Sequence, residues 1–341
     1  MTDTVTPMLR LLSLGAGVQS TTLALMAVRG ELDDFGRLDG AIFADTGWEP
    51  PAVYSQVERL EAEFGQVGIP LHRVGNGNLR RDSLDPDHRF VSIPYYTLAP
   101  EGTTIREEIT ETDPDGYTVI VGHRERLATR REREGLGRRQ CTSEYKIAPI
   151  NRAVRMLLGA PAPRYLRVPK GRYAEQWIGF STDEIQRVND RRENKYTTKR
   201  FPLLELGMSR TDCERYLRRT GWGHTVKSAC IGCPHHRNPY WRDLRDNHPT
   251  EWADAVAFDR SIRSGGASAE PLRGQAFLHR SCLPLDIAPI DRITRTEWKD
   301  RQLDLFDYAA DLAEEEDDEG PGCSPYGCVS GPAVTDHQEA A

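Results

Sequence analysis

The chain has 341 residues and a net charge of -7, with 38% hydrophobic and 28% charged residues. That is a polar globular composition, with room for about two domains or one large domain with insertions. No apolar run approaches the roughly 20 residues of a membrane helix. The start, MTDTVTPMLR, lacks the basic-then-apolar layout of a secretory signal, so a cytoplasmic protein is expected.

Met8–Leu14 (MLRLLSL) reads as a buried strand, followed by a Gly15-Ala16-Gly17 turn and a helix running to Gly30. Gly40–Asp45 is a second buried strand. Pro51 suits the first turn of a helix to Phe64 whose apolar face is Val53, Val57, Leu60 and Phe64. Ile69–Val74 is a third strand. Strand, helix, strand, helix, strand implies an α/β fold: a parallel sheet with right-handed crossovers, helices on both faces and ligands at the carboxyl ends of the strands. Residues 75–120 read as irregular and Arg126–Arg139 as a charged helix. Ile147–Leu158 reads as a helix entered through Pro149, and Glu175–Phe180 as a strand. Met208–Thr220 reads as a helix capped by Ser209, and Glu251–Ile262 as another helix. From Glu314 the chain is acidic, then rich in Gly, Pro and Ser, and disorder is expected there. The expected division is 1–205 for nucleotide binding, 206–310 for a cysteine-containing helical region completing a metal or cluster site, and 311–341 for the tail.

The acidic total hides a basic middle. Residues 121–200 hold 20 Lys/Arg against 9 Asp/Glu. Such a stretch suits nucleotide phosphates or a nucleic acid backbone, or else a solvated helix surface, since Glu125, Glu132 and Glu134 are interspersed. Gly15 and Gly17 lie between a strand and a helix whose free N–H groups and positive dipole end point back at the turn. Ser20 and Thr21 add hydroxyl donors. A dinucleotide loop would want a third glycine where Ser20 stands, and a Walker loop would want a lysine that is absent.

The seven cysteines are odd in number and irregularly spaced, which argues against a disulfide framework. Cys230-Ile231-Gly232-Cys233 is a CxxC pair followed by Pro234, His235 and His236. Two thiolates at this spacing bind one metal or one edge of an iron–sulfur cluster. Cys141, in QCTSEYKIAP, is a third candidate ligand. Cys282 is a candidate fourth or a buried small hydrophobe, with His235 or His236 as substitutes in a Cys3His zinc site. Cys213 reads as core.

Ser13–Leu23 (SLGAGVQSTTL) resembles the pyrophosphate loop of the adenine nucleotide alpha-hydrolase superfamily, and Gln19 resembles that loop in the phosphoadenylyl sulfate (PAPS) reductase branch. Ala44–Glu49 (ADTGWE) resembles that branch's aspartate-threonine-glycine motif. The resemblance implies a Rossmann-like fold and an adenine nucleotide (PAPS, adenylyl sulfate, or ATP with Mg) held by Ser13, Gly15, Ala16, Gly17, Gln19 and Ser20. Asp45, Thr46 and Gly47 would line the same nucleotide. The segment from Gln140 to Pro149 resembles the double-cysteine motif of reductases that carry a [4Fe–4S] cluster, with Gln140 in place of the first cysteine. It implies Cys141, Cys230 and Cys233 as ligands, leaves zinc as the alternative, and puts Lys146 beside the chemistry. Arg187, Arg191 and Arg192 follow a segment, QWIGFSTDE, similar to the family's phosphosulfate loop. The family's nucleophilic cysteine motif near the C-terminus is absent; Cys323 and Cys328 are the tail thiols available, and Cys328 is the candidate nucleophile.

Three functions follow as expectations. The first is sulfonucleotide reduction or sulfur transfer with a thiol donor. The second is an ATP pyrophosphatase that activates tRNA or DNA for sulfur insertion. The third is a zinc-containing nucleic-acid-binding protein without catalysis.

Overall fold

The strand Leu9–Leu14 is the central one of the main sheet, and its residues Leu11, Leu12 and Leu14 are buried on its two faces. The computed structural model describes residues 8–88, 93–99, 102, 104–112, 118–127, 132–160, 167–188, 194–265, 274–295, 297–298 and 301–302. The tail, with Cys323 and Cys328, and also Arg191 and Arg192, lie outside the described residues. In chain order the elements are β1 (Leu9–Leu14), α1 (Val18–Val28), β2 (Gly40–Asp45), α2 (Pro51–Gln66), β3 (Leu71–Gly75) and α3 (Leu79–Asp82). Four further strands follow: β4 (Tyr96–Ala99), β5 (Thr104–Thr112), β6 (Thr118–Leu127) and β7 (Glu132–Leu136). A helical stretch comes next: α4 (Gln140–Thr142), a π-helical turn (Ser143–Ile147) and α5 (Ala148–Leu157). The remainder comprises β8 (Ala174–Trp177), β9 (Thr197–Arg200), α6 (Pro202–Glu205), α7 (Arg210–Arg219), α8 (Asn238–Asn247), α9 (Pro249–Ser261) and β10 (Gln275–Phe277).

The main sheet has five parallel strands in the order β3-β2-β1-β8-β9. Alternate residues feed two cores. Leu12, Leu14, Ala41, Phe43 and Trp177 pack with α1, α2 and α7. Leu11, Ile42 and Ala174 pack with Ala153, Val154 and Leu158 of α5. Burial on both faces explains why β1 and β2 read as continuous apolar runs. After β1 the chain builds β2 and β3 to one side, and β8 and β9 later fill the other. The junction of β1 and β8 is therefore the switch point, where the flanking loops diverge and leave a crevice.

A helix is about 10–12 Å wide, whereas five strands spaced about 4.8 Å span roughly 19 Å. Among the described residues α5 lies alone on its face of the sheet, and grooves open along both its sides.

A second core gathers Trp48, Leu79, Tyr145, Ile231, Trp241, Phe258, Leu278 and Leu285. Its polar hinge is Asp259, which is 1% exposed. Asp259 accepts from the backbone N–H groups of Leu278 (2.8 Å) and Leu285 (3.1 Å) and pairs with Arg263. The expected boundary at 205 does not separate the cores, because Cys213 and Leu217 of α7 pack with the sheet. Residues up to Arg292 form one compact unit. In the second unit, from Ile293, the Trp298 N–H donates to the Thr294 carbonyl and Arg301 pairs with Glu297 at 2.8 Å.

Two expectations are corrected. The charged helix over Arg126–Arg139 is instead the end of β6 and all of β7. Its alternating charges suited an exposed helix equally well, and long-range pairing of β7 with β4 decides the outcome. Residues 75–120 are also less irregular than their Pro and Gly content suggests. β4 joins a sheet in the order β10-β4-β7, and β5 pairs with β6 in a hairpin. No helix among the described residues is long and apolar enough to cross a membrane.

His279 gives the fold a pH dependence. It is 3% exposed, its Nε2 lies 3.1 Å from Asn238 Oδ1, and burial lowers its pKa to about 4. An unfolded histidine protonates near pH 6.5. Between these values the unfolded chain binds more protons, so stability falls as pH drops from about 6.5 towards 4, by on the order of 3 kcal/mol. Urea unfolding at pH 7.5 and pH 4.5 should show that loss, and His279→Gln should lessen it.

Candidate functional site

The loop after β1 adopts a shape that glycine normally supplies. Ala16 has φ +53°. That conformation costs an alanine about 1–2 kcal/mol, so the surroundings must hold it. Buried Gln56 does so: its Nε2 donates to the Ala16 carbonyl at 2.7 Å, and its Oε1 accepts from the Val226 N–H at 2.9 Å. Gly17 is the N-cap of α1, and Ser20 Oγ accepts from the Gly17 N–H at 3.1 Å. A Cβ on Gly17 would lie 3.9 Å from the Ser228 nitrogen, so a longer side chain would fill the gap between the loop and the segment leading to the CxxC pair. This gap at the start of an 11-residue helix has the chemistry of an anion cradle.

Beside the loop, at the carboxyl ends of β1, β8 and β9, lies a cleft of about 340 Å³. Ser13 and Gln176 line it across the switch point, with Phe180, Phe201, Lys199 and Arg187. Phe180 and Phe201 stack at 5.7 Å, and the Arg187 guanidinium sits 4.6 Å from the Phe180 ring centre. Flat apolar walls with cations at the rim suit a base and its phosphates. Gln19 reaches across the switch point, placing its Nε2 3.4 Å from Ser181 Oγ and 3.3 Å from Glu184 Oε2. It ties the two loops together on the side of α1.

A second cavity, about 90 Å³, collects Cys141, Cys230 and Cys233 with Thr46, Lys146, Arg139 and His235. Cys141 sits in α4, immediately before the π-helical turn, a distortion that recurs at functional sites. That turn places Lys146 in the cysteine cavity and Ile147 in the switch-point cleft. The CxxC loop is held by three contacts. The Ile231 N–H donates to the Trp48 carbonyl at 3.0 Å, His236 Nε2 lies 2.8 Å from the Cys230 carbonyl, and Gly232 abuts the Trp48 ring.

Glu49 was not singled out in the sequence, yet it organises this cavity. Its side chain is fully buried, and Lys146 Nζ lies 3.2 Å from its Oε1. Thr46 Oγ1 is 3.4 Å from the same oxygen and 3.2 Å from Cys230 Sγ. Glu49 Oε2, Ser228 Oγ, His236 Nδ1 and Tyr240 OH are buried without a protein hydrogen-bond partner. A buried carboxyl oxygen without a partner is costly, so these atoms mark a polar site that a water or ligand would complete. The only sequence signal was Glu49's place three residues beyond Thr46.

Burial sets the electrostatics. It pushes the Cys230 thiol well above its usual range, with Glu49 adding to the effect, and it raises the Cys141 and Cys233 thiols. Burial opposes the Lys146 charge, but the Glu49 carboxylate, by its charge and hydrogen bond, holds the Lys146 pKa above the ordinary value. His236 is pushed down to about 3 by burial and is therefore neutral. None of these thiols is a ready thiolate, so an incoming metal would have to displace their protons.

The remaining expected residues fall elsewhere or act differently. Asp45 Oδ1 accepts from the Gly47 N–H (2.7 Å) and the Tyr54 hydroxyl (2.9 Å), which makes Asp45 a turn former. Gly47, at φ +69°, leaves room for Asn78, whose Nδ2 donates to its carbonyl at 2.6 Å. Cys213 is buried in the sheet core. Cys282 does not line the cysteine cavity. It occupies a turn at φ +54° after β10, and its Sγ points to the Thr97 carbonyl at 3.9 Å. Three soft donors in one cavity match cluster or zinc chemistry in kind. In arrangement they do not: among the described residues no group of three His, Cys, Asp or Glu side chains stands ready to hold a metal ion.

Two substitutions probe the site. A Cβ on Gly232 would come within 2.1 Å of the Trp48 ring, so Gly232→Ala should cost about 1–3 kcal/mol in urea unfolding and disturb the CxxC loop. Gly17→Asp should abolish nucleotide binding by calorimetry, because it puts a carboxylate in the anion cradle. No protein-family model, curated protein or solved structure matches this chain.

Proposed function

We propose that the protein is an adenine-nucleotide-dependent enzyme of sulfur chemistry, similar in plan to PAPS reductases. One observation carries the reading. A single helical turn, Lys146–Ile147, joins the switch-point cleft to the cavity of three thiols, so a nucleotide in the cleft would present its phosphate end near the cysteines. The α1 N-terminus would hold the phosphates, while the stacked pair of Phe180 and Phe201 would form one wall for the base. Lys146, oriented by Glu49, would offer its charge to an anionic substrate or cluster.

A [4Fe–4S] cluster or zinc bound by Cys141, Cys230 and Cys233 belongs to this proposal as their metal partner. Because the thiols are not arranged as a ready site, no chemical step is routed through it. In the reductive form, a thiolate attacks the sulfur of the sulfonucleotide, the S–O bond breaks, and the nucleotide phosphate leaves. A second thiolate then attacks the resulting thiosulfonate, releasing sulfite and forming a disulfide, which an external thiol reduces. Cys328 is the candidate nucleophile.

ATP cleavage that activates a nucleic acid for sulfur insertion is the second reading. It is favoured by the cationic cleft described below.

Anaerobic incubation with ATP, adenylyl sulfate or PAPS and a thiol reductant, read by chromatography, distinguishes the two. Sulfite release from a sulfonucleotide is the expected result for reduction, and AMP with pyrophosphate from ATP is expected for activation. Absence of turnover in all three would overturn both. Metal analysis of the same protein should find iron with acid-labile sulfide, or zinc. Cys230→Ser should lower that content.

A further inference from the structure

A second open cleft lies away from the cysteines, at the amino ends of β8 and β9. Its volume is about 820 Å³, and Arg155, Arg167, Lys170, Arg172, Lys195 and Tyr196 line it, with no carboxylate among the described lining residues. Arg167, Lys170, Arg172 and Lys195 are exposed. Arg172 is fixed by its Nη1, which donates to the Leu158 carbonyl at 3.3 Å and offsets the negative end of α5. The four exposed cations in one concavity repel each other, and an anionic occupant would relieve that repulsion.

This cleft and the switch-point cleft share two borders. Ile147, Asn151 and Arg155 are spaced by four residues and form one stripe of the helix, with the first two in the upper cleft and Arg155 in the lower. Along the sheet edge, Lys195 lies in the lower cleft and Lys199 in the upper. Lys199 lies within β9, four positions beyond Lys195, which is roughly 13 Å of extended chain. A cationic track therefore leads from the lower cleft towards Lys199, while Arg187 beyond it is paired with Glu184.

We propose that this track binds the phosphate backbone of a single nucleic acid strand, with Tyr196 as a stacking platform, and leads the strand to the switch-point cleft. A concave track longer than one nucleotide fits a polymer of phosphates better than a free nucleotide. Among the described residues, the lower cleft's lining lacks the large exposed apolar side chains of a membrane-docking surface. The delivery of a strand to the upper cleft rests on the proposed function, in its nucleic-acid-activating form; the binding itself does not.

The test is fluorescence anisotropy of the full chain with labelled 20-nucleotide single-stranded DNA and RNA, titrated over 50–200 mM salt. At least one strand should bind, with log Kd rising linearly with log salt. The triple variant Arg167→Glu, Lys170→Glu, Lys195→Glu should weaken binding at least tenfold and flatten the slope by about two. Calorimetry with ATP and PAPS on the same variant separates the two claims, because nucleotide binding should be unchanged while strand binding is lost. No binding of either strand at 50 mM salt, or equal binding by the charge-reversed variant, would overturn the proposal. So would tighter binding to vesicles of anionic phospholipid than to either strand.

Discussion

The position of β1 between β2 and β8 is the constraint on which the site depends. A parallel sheet that grows first to one side of its opening strand and later to the other must leave a gap where the two sets of connections part. Here the loop Gly15–Gly17 leaves on one side of that gap and the loop after Trp177 on the other. Gly179 approaches Ser20 closely, so that an added Cβ would sit 3.0 Å from the Ser20 nitrogen, and the two loops pack against each other on the side of α1. On the opposite face the gap stays open, because α5 is narrower than the sheet beneath it.

That asymmetry gives the molecule two chemically different hollows on either side of one helical turn. The cleft is walled by aromatic rings and rimmed with cations. The cysteine cavity is smaller and more enclosed, with Trp48, Leu79 and Ile93 in its wall, and burial raises the pKa of its thiols. What joins them is the Lys146–Glu49 pair, in which one partner comes from the edge of the parallel sheet and the other from the π-helical turn. A partly exposed lysine against a fully buried carboxyl group is an arrangement that a fold keeps at some expense. The unpartnered Glu49 Oε2 beside it indicates a polar occupant rather than a finished structural pair.

The same reasoning bears on the cysteines. Thr46 contacts Cys230, and Trp48 packs on Gly232 and accepts from Ile231, so the aspartate-threonine-glycine edge and the CxxC loop form one unit. Sequence reading treated them as separate motifs, one for the nucleotide and one for the metal. Their contact makes Thr46 part of the thiol cavity, while Asp45 turns inward to cap its own loop.

The sequence alone determined the parallel α/β core, because continuous apolar strands, proline-entered helices and the Ser209 cap are local signals that survive without knowledge of neighbours. It also determined that Cys141, Cys230 and Cys233 belong together, through the spacing of the pair and the resemblance of the segment around Cys141. Other features were decided by tertiary structure. β7 is a strand because β4 lies beside it, and Cys282 faces β4 because a left-handed turn aims it there. Glu49 matters only once Lys146, almost a hundred residues away, is brought to 3.2 Å from it. Each depends on pairing or packing between distant segments, and neither propensity nor periodicity encodes such partners.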